Sequence, residues 1–239
     1  MNTLISGQGN RLLATLLSGL LMAMVTLFST SAMAQIAGTA HDFNDGLFAD
    51  GSAGGDTWNT SGEICVVCHT PHSAISPTDG PLWNRDITAV TNYTMYAPNT
   101  TPGSDIDGTF AGQPTGVSRL CLSCHDGTIA IDSFGGATGT IMIDTINANA
   151  NIGEGVGING DLSNDHPVAF TFPATTGPLG DDELQPNSGG LVNGIMPLFG
   201  TTQDQMECAS CHDVHGTGFA YLLRVENTDS ALCLTCHIK

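Results

Sequence analysis

Four copies of the motif C-x-x-C-H constrain this chain more than any other feature, and together they use all eight cysteines. On a helical turn, positions i, i+3 and i+4 share one face, so the two thiols and the imidazole lie close together. Two such thiols form thioethers with the vinyl groups of one haem, while the histidine ligates its iron. We therefore predict four covalent c-type haems. The attachment pairs are Cys65 and Cys68, Cys121 and Cys124, Cys208 and Cys211, and Cys233 and Cys236, with His69, His125, His212 and His237 as proximal ligands.

Zinc, disulfides and thioredoxin-like redox chemistry are the competing interpretations of the cysteine pairs. Zinc uses paired C-x-x-C motifs, but it gives no reason for a histidine after every pair. Disulfides suit an exported chain and likewise leave the histidines unexplained. A thioredoxin-like motif belongs to a βαβ pattern and does not usually occur four times. The repeated histidine favours haem over all three.

The first 34 residues have the pattern of an export signal. Arg11 is their only charged residue, an apolar run covers residues 12–28, and small residues lead to Ala32-Met33-Ala34. That ending is an A-x-A cleavage site, which favours a signal peptide over the alternative, a membrane anchor. We predict a signal peptide at 1–34, a tetrahaem domain at 35–239, and no membrane span after cleavage.

Acidic residues dominate the charge of the chain. It has 23 Asp and Glu against five Lys and Arg, for a net charge of −18. Such a surface repels nucleic acid and anionic lipid, so neither is an expected partner.

Regular structure is expected to be sparse. Strand-like segments at 87–96 and 140–146 are rich in Thr, Ile, Val and Tyr, and helical patterns are short. Segments 101–116, 135–165 and 175–194, rich in Gly and Asn, are predicted to be loops. Loops of this length need an organising element, and four apolar macrocycles supply one. The expected fold is haem-cored and mostly irregular, with short α-helices and a few short β-strands.

Four histidines lie outside the motifs, which equals the number of predicted haems. Two histidine ligands on every iron is the simplest account of this count, although any one of the four alone would be taken for a surface residue. Methionines 95, 142, 196 and 206 are rival ligands, but methionine more often packs in a core. The predicted distal ligands are His41, His72, His166 and His215.

Two of these histidines follow a motif histidine by three residues: His72 after His69, and His215 after His212. Neither can reach the far side of its neighbour's haem, because the macrocycle lies between them. Each is therefore expected to ligate a different haem. Histidines so close in sequence then hold two haems near each other, which suits rapid electron transfer.

Several segments resemble multihaem cytochromes with doubled C-x-x-C-H motifs. They are Ala40-His41-Asp42-Phe43, residues 65–69 with Thr70-Pro71-His72, Pro81-Leu82-Trp83-Asn84-Arg85, residues 121–125 with Asp126-Gly127, Asp165-His166-Pro167-Val168, and residues 208–212 with Asp213-Val214-His215. The ordered set resembles the tetrahaem extracellular filament ("nanowire") cytochromes of the OmcE type. The resemblance implies a subunit that polymerises, stacks its haems continuously, and takes one histidine ligand from a neighbouring copy.

The predicted function is electron transfer by a subunit of an extracellular conductive filament, without enzymatic activity. Its partners would be copies of itself and redox proteins or extracellular electron acceptors. The first alternative is a soluble periplasmic tetrahaem carrier. The second is a multihaem redox enzyme, which needs an open iron position that eight histidines do not leave. His41, on an N-terminal arm of small residues, is the expected ligand to a neighbour's haem, with a haem of its own chain as the alternative.

Overall fold

The computed structural model describes residues 36–37, 39, 41–43, 59, 61–74, 80–96, 109–110, 113–143, 156–173, 183–216 and 218–238. All eight cysteines and all eight histidines lie in these ranges. The predicted signal peptide, residues 1–34, lies outside them, so its prediction stands as made. In the described ranges, no helix has both the length and the apolar character needed to cross a bilayer.

The helices are short and three of them carry motifs. Helix α1 covers Gly116–His125, α2 covers Cys208–Cys211 and α3 covers Ala231–Cys236. The first motif lies on a 3₁₀ helix, Cys65–Val67. Further 3₁₀ turns occur at Ile158–Gly160, Ala220–Leu222 and Thr228–Ser230.

In the described ranges, the strands are two residues long and form three small sheets. Strand β1 (Thr94–Met95) pairs in parallel with β3 (Asp161–Leu162). Strand β4 (Phe170–Thr171) lies between β2 (Thr109–Phe110) and β8 (Gln205–Met206), with both pairings antiparallel. Strand β6 (Leu191–Val192) lies between β5 (Asn187–Ser188) and β7 (Met196–Pro197), also antiparallel. The prediction of a mostly irregular fold with short helices and strands is confirmed.

The predicted strands and loops differ in detail from the structure. Only Thr94–Met95 is a strand within 87–96, and the described part of 140–146, residues 140–143, contains none. The segment 175–194, predicted as loop, contains β5 and β6. These strands form a hairpin because Gly189 and Gly190 between them have φ of +59° and +78°, which a tight two-residue turn needs.

The largest hydrophobic cluster lies next to the third and fourth motifs. Strands β4, β6, β7 and β8 supply most of its buried side chains, and Cys211 and Cys236 pack against it. A smaller cluster of Tyr93, Leu122 and Leu162 lies against the second motif. The side-chain cores therefore support the attachment turns directly. The members of the larger cluster are Phe170, Phe172, Val192, Met196, Leu198 and Met206.

Candidate functional site

Every C-x-x-C-H motif occupies a helical turn, as the haem chemistry requires. The histidine N–H donates to the carbonyl four residues earlier in three of them: His69 to Cys65 (2.8 Å), His212 to Cys208 (3.1 Å) and His237 to Cys233 (2.8 Å). The second motif ends helix α1. In each motif the residue before the second cysteine is buried, so it packs the turn against the rest of the protein. These residues are Val67, Ser123, Ser210 and Thr235.

A short segment, residues 81–85, pairs with the end of the first motif; we call it the first clamp. The N–H of Thr70 donates to the carbonyl of Leu82 (2.8 Å), and the N–H of Asn84 donates to the carbonyl of Cys68 (2.9 Å). The backbone on both sides of the motif histidine is thereby held in one antiparallel bridge.

Residues 221–225, the second clamp, repeat the scheme at the third motif. The N–H of Asp213 donates to the carbonyl of Leu222 (2.7 Å), and the N–H of Arg224 donates to the carbonyl of Cys211 (2.9 Å). The first and third motifs are therefore two copies of one structural unit.

One strained residue recurs in both clamps. Leu82 has φ +55° and Leu222 has φ +56°, in the left-handed region that leucine rarely adopts. Such a conformation persists only where surrounding contacts over-determine it, and here both carbonyls accept the bond next to the motif histidine. The shared strain supports the equivalence of the two units.

The fourth motif has a third clamp, residues 183–185, which comes from upstream in the chain. The N–H of Gln185 donates to the carbonyl of Cys236 (2.7 Å), and the N–H of Ile238 donates to the carbonyl of Glu183 (2.7 Å). The same bridge can thus be built by a segment on either side of the motif.

The first two clamps also orient the motif imidazoles. Nδ1 of His69 donates to the carbonyl of Pro81 (2.8 Å), and Nδ1 of His212 donates to the carbonyl of Tyr221 (2.9 Å). A carbonyl can only accept, so Nδ1 carries the proton and Nε2 keeps its lone pair. This is the arrangement by which metal-ligating histidines are held in proteins.

The second motif is held by a buried carboxylate instead of a clamp. Asp126, directly after His125, accepts from the hydroxyls of Thr88 and Tyr93 and from the N–H (2.9 Å) and hydroxyl (2.7 Å) of Thr128. Burial, and then the bond to Asp126, raise the pKa of Tyr93. The phenol therefore stays protonated and remains a donor to this carboxylate.

A second buried carboxylate joins the second and third motifs. The Ser118 hydroxyl on α1 donates to Glu207, the residue before α2, and accepts from the N–H of Cys208 (3.0 Å). Burial raises the pKa of Glu207, although its hydrogen bonds act in the opposite direction. The start of α2 is thus fixed against α1.

Three ring contacts each join one motif histidine to one spare histidine. The centroid distances are 6.1 Å for His41–His125, 6.3 Å for His69–His215 and 6.5 Å for His166–His237. With metal–nitrogen bonds of about 2 Å, two imidazoles on opposite sides of one iron have centroids about 6 Å apart. Aromatic contacts in general reach such distances. The one-to-one matching of motif and spare histidines is what fits two-histidine ligation.

His41 lies beside His125 of its own chain, whereas the resemblance to filament cytochromes predicts a role for it at a neighbour's haem. Burial lowers the pKa of His41 to about 4, with His125 and then His212 adding to the effect. Burial also lowers the pKa of His125. Both rings are therefore neutral at neutral pH, which is the form that binds iron.

His72 and His212 remain from the set of eight. Both side chains are exposed, and among the described residues no ring contact of this kind joins His72 to another histidine. His215, by contrast, lies beside His69 and away from the motif that it follows. That His215 ligates a haem other than that of His212 stays a prediction.

The rival cofactors and ligands find less support in the geometry. No disulfide joins any of the eight cysteines, all of which lie in the described ranges. In the described part of the chain, no three side chains of His, Cys, Asp or Glu converge as a zinc site needs. Met196 and Met206 are 1% and 3% exposed and belong to the larger hydrophobic cluster.

The attachment turns neighbour one another in chain order. Burial raises the pKa of Cys68 to about 12, and the nearby Cys124 adds to this effect. The thiols of Cys121 and Cys208 interact, which raises the pKa of Cys121 and lowers that of Cys208. Burial, then Cys211, raise the pKa of Cys236 to about 12. First and second, second and third, and third and fourth motifs therefore lie within electrostatic reach.

The sequence analysis did not identify the clamps or the two buried carboxylates. The clamps are backbone pairings at different distances from their motifs. Of the three, only the first, Pro81-Leu82-Trp83-Asn84-Arg85, is among the segments that resemble multihaem cytochromes. Asp126 and Glu207 lie next to motifs in the sequence. An acidic residue beside a motif is the one sequence signal by which they could have been identified.

Comparison with known proteins agrees with the site. A family model described as the doubled CXXCH motif matches residues 201–239, which contain the third and fourth motifs. No curated protein matches the chain. The matched residues contain the second clamp and the attachment turns of the third and fourth motifs, whereas the third clamp, residues 183–185, lies upstream of them. Together with the motifs and their histidines, it supports a multihaem c-type cytochrome that carries covalently bound haem and functions in electron transfer.

Proposed function

We propose that the protein transfers electrons through four c-type haems, each ligated by two histidines. The observation that carries this proposal is the matching of three motif histidines with three spare histidines at 6.1–6.5 Å. By elimination, His72 and His212 form the fourth pair. When bound, the haems would supply one-electron redox chemistry; the chain would attach them and orient their ligands.

Full histidine ligation argues against the redox-enzyme alternative. Substrate chemistry at a haem needs an open iron position, and four pairs from eight histidines leave none. We therefore propose that the protein is not an enzyme.

We further propose that the protein assembles into a filament in which His72 of one copy ligates the iron held by His212 of the next. Three pairs form inside one chain, whereas these two exposed histidines do not meet there. A contact that joins two different surfaces of identical copies, and does not close on itself, builds an open filament. His72 thus replaces His41 as the proposed connecting residue.

Equivalence of the two clamped units supports this assignment. His72 follows the first unit as His215 follows the second, and the His215 ring lies beside the motif histidine of the other unit. By the same relation, His72 belongs with His212. Closure within one chain would give a self-contained monomer, which corresponds to the alternative of a soluble periplasmic carrier.

The test is His72→Ala, with His215→Ala as its matched control. Both variants should contain one five-coordinate, carbon monoxide-binding haem per chain. Only His72→Ala should abolish filaments in negative-stain images, because His215 meets its partner inside the chain. Filaments that persist in His72→Ala would contradict the proposed connection, and monomeric wild-type protein with four six-coordinate haems would establish the carrier instead.

Export to the cell surface is part of the same proposal. Cleavage of the A-x-A site directly after Ala34 would release a mature chain that begins at Gln35. Its acidic surface suits cationic or redox protein partners, or an extracellular acceptor, better than nucleic acid. N-terminal sequencing of secreted protein tests the cleavage site directly.

A further inference from the structure

Arg85 is a cation in the interior of a chain with very few positive charges. Its side chain is 0% exposed. One terminal nitrogen donates to the carbonyl of Ile131 (2.7 Å) and the other to the carbonyl of Ala130 (2.7 Å). Nε is buried and has no hydrogen-bond partner.

No carboxylate neutralises this charge in the described residues. Arg224 shows the contrast, because its guanidinium forms an ion pair with Asp213 at 3.1 Å. A buried, unpaired charge is costly, since carbonyl dipoles replace only part of the lost hydration. A chain with a net charge of −18 has five basic residues. The burial of one of these five side chains therefore indicates that its positive charge has an electrostatic role.

The location of Arg85 suggests that role. It ends the first clamp, one residue after Asn84, which bonds to the carbonyls of Val66 and Cys68. Its guanidinium contacts the loop that follows α1 and the second motif. These hydrogen bonds anchor the guanidinium to the loop that begins after His125, and the adjacent Asn84 to the backbone of the first motif. The positive charge is therefore within electrostatic reach of two attachment sites.

We propose that Arg85 raises the reduction potentials of the two haems attached through Cys68 and Cys124. This inference rests on the proposed haem attachment. Reduction of each iron from Fe³⁺ to Fe²⁺ takes one electron from a donor and lowers the net charge of the site by one. A fixed cation favours that lower charge, and burial removes the screening that weakens surface charges.

The opposite sign is found at the third motif. Glu207, 2% exposed, directly precedes Cys208, and in its ionised form this side chain disfavours the reduced iron. The buried charges thus make the first motif the more favourable end for an electron. Arg85 is a residue that tunes electron distribution, not a ligand.

The test is potentiometric titration of the four-haem protein with dithionite as electron donor. In Arg85→Gln, the reduction potentials of two of the four haems should fall. A unit charge about 10 Å from an iron, at an effective dielectric constant of about 20, changes the reduced-to-oxidised ratio roughly tenfold. A tenfold change equals about 59 mV for a one-electron couple. Arg85→Lys should restore most of the shift, which a role in packing alone would not predict.

Ser188→Ala on the exposed face of β5, which changes no charge, is the control and should leave the potentials unchanged. Haem content and low-spin spectra of the same samples test the proposed attachment and ligation separately. Unchanged potentials in Arg85→Gln with four low-spin haems would overturn the inference. If Arg85→Gln does not hold four haems, the wild type decides: the haem at Cys65 and Cys68 must be reduced before that at Cys208 and Cys211, and the reverse order overturns the inference.

Discussion

The imidazole rings of His69 and His215 lie 6.3 Å apart with 20° between their planes, although their motifs are far apart in the chain. His69 is held by the first clamp, and His215 follows the motif held by the second clamp. The two clamped units are therefore oriented toward each other. A ligand from one unit that serves the iron of the other keeps their haems at a fixed separation.

The pairing of His41 with His125 predicts which haem changes in His41→Ala. The haem at Cys121 and Cys124 should become five-coordinate and bind carbon monoxide, while filaments persist. Carbon monoxide titration gives the number of open haems, and NMR of the paramagnetic haem methyl groups identifies the site. Loss of filaments in this variant, with filaments kept in His72→Ala, would return the connecting role to His41.

Covalent attachment predicts the mass of the mature protein. The intact mass should equal the chain from Gln35 plus four haem groups, because each motif forms two thioethers. A double variant with Cys233→Ser and Cys236→Ser should lose one haem group. Metal analysis should find iron and no zinc. A wild-type mass with fewer than four haems, or alkylation of native cysteines, would refute the count.

Acid should release His41 from its haem only at low pH. Its pKa in the folded protein is held near 4, below the ordinary value of 6.5, first by burial. A lowered pKa gives stability that is present above 6.5 and is lost as pH falls through about 4. Iron ligation favours the same neutral ring, so the visible spectrum should stay low-spin down to at least about pH 4. His41→Ala supplies the reference spectrum of the open haem, and its appearance near pH 6 would contradict the buried site.

Ser118→Ala should destabilise the contact between the second and third motifs. It leaves the Glu207 carboxylate and the Cys208 N–H without this partner, which costs about 1–3 kcal/mol. Denaturant unfolding measures the loss, and Ser188→Ala on the exposed face of β5 is the control, with little expected change.

The pH dependence of this variant carries a sign. Burial raises the pKa of Glu207, so stability from its neutral form is present below about 4.5 and is lost as pH rises through the raised value. The Ser118 hydroxyl offsets part of that loss by stabilising the ionised form. Ser118→Ala should therefore cost more at pH 7 than at pH 4, and an equal cost at both would indicate that Glu207 stays neutral.

Local chemistry could be predicted from the sequence because it lies within five consecutive residues. The turn that brings Cys233, Cys236 and His237 to one face is a helical property, independent of the rest of the chain. The same holds for the expectation that His215 cannot serve the haem of His212, since the macrocycle blocks a ligand three residues away. The irregular fold followed from the abundance of Gly and Asn.

Only the tertiary structure decided how the motifs are held and which histidines meet. The clamps pair backbone groups, and backbone hydrogen bonds depend little on which side chain a residue has. The carbonyls of Glu183 and Leu222 can therefore accept the equivalent bond after a motif histidine. The His41–His125 contact depends on long-range packing that no local pattern encodes. Arg85 was visible as a rare positive charge, but its burial against the carbonyls of Ala130 and Ile131 emerges only when distant segments fold together, because desolvation is a property of the whole surroundings.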